Sequence, residues 1–279
     1  MRETSADLVW TDHLAWCPKR GLTSSATRVV DLPDLSRWVA VAADGRLELT
    51  CLDDGDESED GPPPVDLYRL PADVELPPEL VTALGGLGTV ARLRTTDIWE
   101  AIVVGVCQMI TVAAPWDTYK RLCQAWGEAV PLSTSPLYRM APDPVGILDQ
   151  TWRTLPATGL GQAAPVLHSA AEAYLTHGDT WHAAEPADLI TDLQTHIDGL
   201  DTDTARLIIV DITGDFEFYP VHTLDFRAWA HRAAPHALWP PRPTGFAHHW
   251  RTRTGKHRSA ITALLVAWGH QQPNLLGET

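Results

Sequence analysis

Between Tyr219 and Trp229 the chain places an imidazole, a hydroxyl and a carboxylate within four residues: His222, Thr223 and Asp225, in the run YPVHTLDFRAW. Asp211 precedes the same segment. These side-chain types suit a hydrolysis that passes through a positively charged centre. A carboxylate stabilises the developing charge and orients a water. A neutral histidine, whose unperturbed pKa is about 6.5, takes a proton from that water. A threonine hydroxyl supplies no charge, and a protonated histidine would oppose a cation. The candidate catalytic residues are therefore Asp225, His222, Thr223 and Asp211. The competing assignment is purely structural: Asp225 opens a helix that starts near Leu224, and His222 belongs to a surface loop.

The elements around this run have a definite order. Ile197, Gly199 and Leu200 form a short hydrophobic-Gly-hydrophobic hairpin in IDGLDTDTA, followed by an apolar helix from Ala205 to Ile212. A turn at Gly214 and the Tyr219-Pro220 step come next, then the helix near Leu224. Farther upstream, IWEAIVVGVCQMI (Ile98 to Ile110) reads as a buried helix capped by Thr96-Asp97 and ending in Gln108 and Met109. Further helices are expected at Thr118 to Trp126, Pro144 to Thr154, Ala163 to Thr176, Pro186 to Thr195 and Ser259 to Trp268.

This order resembles the helix-hairpin-helix DNA glycosylases, the superfamily of endonuclease III and the alkylpurine glycosylases, over residues 85–270. The resemblance implies that the hairpin offers backbone N–H groups to a DNA phosphate. Ile197, Gly199, Leu200, Thr204 and Ala205 match its pattern, while Asp198 replaces a proline and Asp201 the second glycine. Glycine suits this turn because the backbone adopts positive φ and approaches a phosphate closely. Bifunctional relatives carry a nucleophilic lysine just before the threonine; Asp203 stands there, which excludes a Schiff-base lyase mechanism through that position. Gln108 falls where relatives insert a glutamine beside the flipped nucleotide, with Met109 next to it; a helix cap is the alternative role. Aligned on Phe226 and Arg227, the family aspartate falls on Thr223; aligned on Pro220-Val221, it falls on His222. Neither is a carboxylate, so the resemblance leaves Asp225, shifted into the site, as the nearest acid. The expected DNA contacts are Gln108, Met109, Gly199, Asp201, Thr204 and Arg227.

Composition limits the remaining options. The 279 residues, 44% hydrophobic and 20% charged, describe an ordinary globular protein. The absence of a signal-peptide core and of an apolar run near membrane-spanning length points to a cytoplasmic protein without membrane contact. Cys17, Cys51, Cys107 and Cys123 form no C-x-x-C pair, which excludes a four-cysteine iron–sulfur loop and fits reduced core thiols. His248-His249 and His257 lack acid or cysteine partners at ligand spacing and read as a basic face. No metal or cofactor is expected. Most of the twelve tryptophans are expected in the core, although aromatic rings also stack on flipped bases. The net charge of −15 opposes loose nucleic-acid binding, yet residues 226–279 hold 7 Lys/Arg against one acid. A basic C-terminal lobe can form a local DNA face or simply pair with the acidic body.

The expected fold class is α+β. A small antiparallel β-sheet region over residues 1–80, with an acidic loop at 53–64, precedes a mostly helical helix-hairpin-helix glycosylase-like domain over 81–279. The β hairpin is clearest at Arg37 to Leu52, turning at Asp44-Gly45, with another strand at Val65 to Leu70. The function implied is a monomeric, monofunctional glycosylase acting on double-stranded DNA with a modified base, including bulky phage-type bases. The alternatives are an N-glycosidase of a small nucleoside or nucleotide, and a non-catalytic DNA-binding relative.

Overall fold

The structure is a computed structural model that describes residues 2–18, 25–33, 36–52, 61–109, 115–132, 135–151 and 154–272. The acidic run at 53–60 and residue 110 lie outside the described residues. Six strands open the chain: β1 (Arg2–Ser5), β2 (Leu8–Trp10), β3 (Cys17–Pro18), β4 (Ser25–Asp31), β5 (Arg37–Ala43) and β6 (Arg46–Cys51). β5 and β6 pair antiparallel across Asp44 and Gly45, whose φ values of 48° and 74° make the primed turn expected of an Asp-Gly pair. With β1, β3 and β4 they form a five-stranded sheet in the order β1-β6-β5-β4-β3. Trp38, Ala40 and Ala42 alternate inward on β5, as do Leu47 and Leu49 on β6.

Next come β7 (Val65–Tyr68), α1 (Pro78–Gly85), β8 (Val90–Leu93), α2 (Ile98–Gln108) and α3 (Pro115–Trp126). β8 pairs in parallel with β2 and antiparallel with β7, so this second sheet draws strands from both sides of residue 80. A two-stranded hairpin, β9 (Ala129–Leu132) with β10 (Ser135–Arg139), interrupts a stretch expected to be helical. Pro131 and Pro136 explain why its sequence does not look like strand: proline cannot donate to a ladder.

The rest is helical: α4 (Pro144–Leu148), α5 (Ala164–His182), α6 (Pro186–His196), α7 (Thr202–Thr213), α8 (Leu224–Ala233), α9 (Pro243–Thr254) and α10 (Arg258–His270). α4 stops well before Thr154, and α5 runs past Thr176. α9 was not expected, because Gly245 and His248-His249 break its apolar pattern; Phe246 and Trp250, four residues apart, are its fully buried stripe. The N-terminal sheet followed by a helical body matches the expected α+β class.

Every residue of α2 from Ile98 to Cys107 is buried, and Asp97 caps it by accepting from Trp99 N and Glu100 N. α7 lies between two helical cores. Ala205, Ile208 and Ile209 join the core built on α2 and α5, while Val210 joins the core built on α1, α8, α9 and α10. Gly105 of α2 permits this approach, since a Cβ there would sit 2.8 Å from Ile208 Cγ1.

The sheet is tied to the helices by charge. Arg28 on β4 is fully buried and donates to Thr95 Oγ1 at 2.8 Å and Glu100 Oε2 at 3.0 Å. Removing one partner of such a pair leaves an uncompensated buried charge. Arg28→Met should therefore destabilise the fold by about 3–5 kcal/mol. Arg28→Met combined with Glu100→Leu should recover most of the loss, as read from urea unfolding midpoints. Equal instability of single and double variants would count against a charge origin.

Candidate active site

The hairpin between α6 and α7 sets the first half of the site. Ile197 and Leu200 are buried anchors, and Leu200 N donates to Ile197 O at 3.2 Å to close the turn. Gly199 takes φ of +83°, a conformation that favours glycine, and a Cβ there would press on Val166 Cγ2 at 3.1 Å. Asp198 N is held by Ser169 Oγ at 2.9 Å. Asp201 caps α7: its carboxylate accepts from Thr204 N at 2.8 Å and from Thr204 Oγ1 at 2.9 Å. Asp201 and Thr204, both expected as DNA contacts, are thus bonded to each other. Thr204 is buried with its hydroxyl turned onto Asp201, and the Thr204 N–H that a phosphate could have used is already satisfied.

The first turn of α7 then presents Asp203, partly exposed and at the positive end of the helix dipole. The second half of the site is the loop from Gly214 to α8. Val221 N donates to Tyr219 O at 2.8 Å and Thr223 N to Pro220 O at 3.1 Å, while Pro220 and Val221 are buried. These two tight turns project His222 toward α7, where its Nε2 lies 3.0 Å from Asp203 Oδ2. The side chains are 39% and 36% exposed, open enough for a substrate to reach. The partner of His222 is thus Asp203, not Asp225.

The other predicted residues fall elsewhere. Asp225 is exposed on the first turn of α8, where its charge acts on Tyr219 and His270. Burial, with Asp225 adding to it, pushes the Tyr219 hydroxyl well above its ordinary pKa. Thr223 is the N-cap residue of α8, with no hydrogen bond from its side chain to the helix. Arg227 spends a guanidinium N–H on Pro241 O at 2.7 Å. Gln108 is exposed as the last residue of α2, and Met109 packs against the core around that helix.

Asp211 is not in the loop between Gly214 and α8 but on α7. It is buried, pairs with Arg92, accepts from Thr95 Oγ1 at 2.8 Å, and sits 2.9 Å from His13 Nε2. Burial alone would raise its pKa, but His13, Arg92 and Arg28 outweigh that and hold it well below the carboxylate range. Arg92 in turn lies 5.7 Å from the centroid of the Trp10 ring and 5.5 Å from that of Phe216.

Sequence reasoning passed over a second group of residues. His270, at the end of α10, has its ring 6.2 Å from Trp10 and 5.2 Å from Trp229. Asp12, just beyond β2, interacts with it electrostatically. Both side chains are solvent-exposed, yet burial is the largest influence on each, raising Asp12 and lowering His270. No local pattern could have found this pair, because its members come from opposite ends of the chain.

Burial pushes the Cys123 thiol up to about 12, in keeping with a packing role. Among the described residues, no group of three or more His, Cys, Asp or Glu could hold a metal ion, and no helix is long and apolar enough to cross a membrane.

No family model and no curated protein matches the chain. Solved structures do. One described as MBOgg1 in complex with a low-affinity DNA ligand superposes with a TM-score of 0.68 at 13% identity, covering 96% of this chain and 94% of that one. The Clostridium acetobutylicum 8-oxoguanine glycosylase/lyase, solved with double-stranded DNA containing cytosine opposite 8-oxoguanine, gives 0.67 at 10% identity over 95% and 91%. The Archaeoglobus fulgidus 3-methyladenine DNA glycosylase gives 0.66 at 13% over 97% and 99%. The fold is that of the helix-hairpin-helix DNA glycosylases. At these identities the likeness is one of architecture, and it spans almost the whole chain.

Within this glycosylase fold Asp211 carries a pH-dependent part of the stability. Its native pKa lies below the unfolded value of about 3.9, so as pH falls the unfolded state binds protons first and stability drops. Asp211→Asn should lower the thermal midpoint at pH 7, and the gap to the parent should narrow between pH 5 and pH 2. A constant gap across that range would show that the carboxylate charge is not what stabilises the joint.

Proposed function

We propose that the protein is a monofunctional glycosylase that hydrolyses the N-glycosidic bond of a modified base in DNA, with Asp203 and His222 as its acid–base pair. The observation that carries this reading is the 3.0 Å contact between Asp203 Oδ2 and His222 Nε2 on the hairpin helix of a glycosylase fold. The resemblance puts Asp203 at the position of the lyase lysine and, in the Pro220-Val221 register, His222 at that of the aspartate. The two positions keep their juxtaposition, while the carboxylate has moved from the loop to the helix.

The chemistry follows from that exchange. His222 donates its Nε2–H to Asp203, which fixes the tautomer and leaves Nδ1 as the acceptor for a water proton. As the base departs, positive charge grows on the sugar, and the Asp203 carboxylate offsets it. Water then adds to the sugar carbon while His222 takes its proton, and Asp203 stabilises the imidazolium. The departing base carries off the bonding electrons and takes the proton that His222 gained, which returns the imidazole to neutral, so the products are a free base and an abasic site. With no lysine at position 203, the strand is not cut by a Schiff base formed there.

DNA contact falls to the basic lobe, where Arg242, Arg251, Arg253 and Lys256 are exposed, since Asp198, Asp201 and Asp203 make the hairpin a poor phosphate site. The same acidic hairpin favours a second reading, hydrolysis of a free nucleoside or nucleotide. Salt separates the two: DNA-dependent release falls steeply as salt rises, and small-molecule hydrolysis does not.

The direct test is single-turnover base release from alkylated, deaminated or glucosylated DNA, read by mass spectrometry. Asp203→Asn and His222→Gln should each slow release by about 10²–10³-fold. The double variant should be little worse than either single, because the pair acts as a unit. Full activity in Asp203→Asn would refute the assignment.

A further inference from the structure

The segment between α8 and α9, Ala234 to Arg242, takes no part in the chemistry above, since the length of α8, about 15 Å, separates it from His222. It reads APHALWPPR, with prolines at 235, 240 and 241 fixing φ at three of its nine positions. Its backbone is tied down along its whole length. Ala237 N donates to Ala234 O at 3.2 Å and Trp239 N to Ala237 O at 2.9 Å. His236 N donates to Glu79 Oε2 at 3.2 Å, and Arg227 Nη2 to Pro241 O at 2.7 Å. Trp239 is the anchor: its ring is buried against Phe246 and Trp250, and its Nε1–H donates to Ala234 O at 3.0 Å. Leu238, beside this anchor, is 92% exposed, more than any other large hydrophobic among the described residues. A leucine so exposed adds nothing to the fold, yet the loop holds its backbone in one place.

We propose that Leu238 is the apolar tip of a second DNA contact, entering the base stack of the duplex several base pairs away from the nucleotide at His222. This deepens the glycosylase reading and rests on it only for the partner. The charge around the tip points to a polyanion. Between Phe226 and Gln272 the chain holds seven Lys/Arg and no Asp or Glu. Arg242 is exposed at the end of the loop, and His231 and His249 lie edge-on to the Trp239 ring at 6.3 and 5.8 Å. Glu79, the acid that meets the loop, is already paired with His236. α9 starts at Pro243 with no side-chain cap, so its positive end adds to the same field. An apolar tip on a cationic rim suits DNA. Cations hold the phosphates while the leucine wedges between base steps and bends the duplex. A tip whose backbone is already fixed loses little freedom on binding.

The experiment uses the whole chain and an undamaged duplex carrying several 2-aminopurines, whose fluorescence rises when they are unstacked. Affinity and fluorescence are measured across a salt series for the parent, Leu238→Ser, Leu238→Met and Arg242→Gln. Binding of the parent should raise the fluorescence. Leu238→Ser should remove that rise and weaken binding by about tenfold or more at every salt concentration, because an apolar contact is lost. Leu238→Met keeps an apolar tip and should behave as the parent. Arg242→Gln should keep the rise but reduce the slope of log affinity against log salt by about one, the mark of a lost phosphate contact. Leu238 is exposed, so its substitution leaves folding intact, which circular dichroism checks. No fluorescence rise, or Leu238→Ser binding like the parent, would overturn the proposal. So would Leu238-dependent attachment to phosphatidylglycerol vesicles with none to the duplex, or a dimer in sedimentation that Leu238→Ser dissociates. Insertion that depends on Leu238, with no base released from any modified DNA, would sink the glycosylase reading and leave this one standing. Base release with duplex binding indifferent to Leu238 would do the reverse.

Discussion

The buried pair of Arg92 and Asp211 is the contact on which the arrangement of this molecule depends. Asp211 lies near the C-terminal end of α7, and Arg92 belongs to β8, the middle strand of the second sheet. Two buried charges are costly to remove from water, and these are compensated by a dense set of partners: Thr95, His13 and, through Thr95, Arg28. The pair does more than hold a strand to a helix. His13 brings the segment after β2 against α7, and Arg92 stacks beneath Trp10, so the position of Asp12 is inherited from the position of Asp211.

α7 thereby joins the Asp203–His222 contact to the buried Arg92–Asp211 pair. Asp203 and Asp211 are eight residues apart, about 12 Å along a helix. One end meets His222; the other anchors the strand exit that carries Asp12. The helix is itself clamped between two cores, with Ile208 against Gly105 of α2 and Val210 against the C-terminal helices. Close-packed interiors transmit small displacements, so a shift of α7 would move both contacts together.

The parts of this structure that were legible in the sequence are those set by local chemistry. Asp44-Gly45 needs only its own backbone to specify a turn, Asp97 only the two amides that follow it, and Gly199 only the positive φ of a hairpin. The pieces that were not legible depend on distant meetings. Asp203 was visible only as a missing lysine; its role as the partner of His222 requires the turn at Gly214 and the two tight turns around Pro220 to fold the loop back onto α7. Asp211 looked like a spare acid near the loop, because nothing local announces that Arg92 and His13 will bury it. β9 and β10 were hidden by prolines that sheets tolerate at edges, and α9 by the histidines on its solvent face.

The charge exchange at the hairpin connects to the distribution of charge over the whole chain. The hairpin bears Asp198, Asp201 and Asp203, a negative cluster that disfavours an anion there, and Asp201 satisfies the amide of Thr204 from within. Residues 226–279, the only stretch where basic residues outnumber acids by a wide margin, supply α9 and α10. Electrostatic attraction to that lobe steers a polyanion without fixing its register, whereas hairpin amides fix register without needing charge. On the proposed function, keeping the lobe while blunting the hairpin shifts the work of positioning from the backbone phosphates to the base itself.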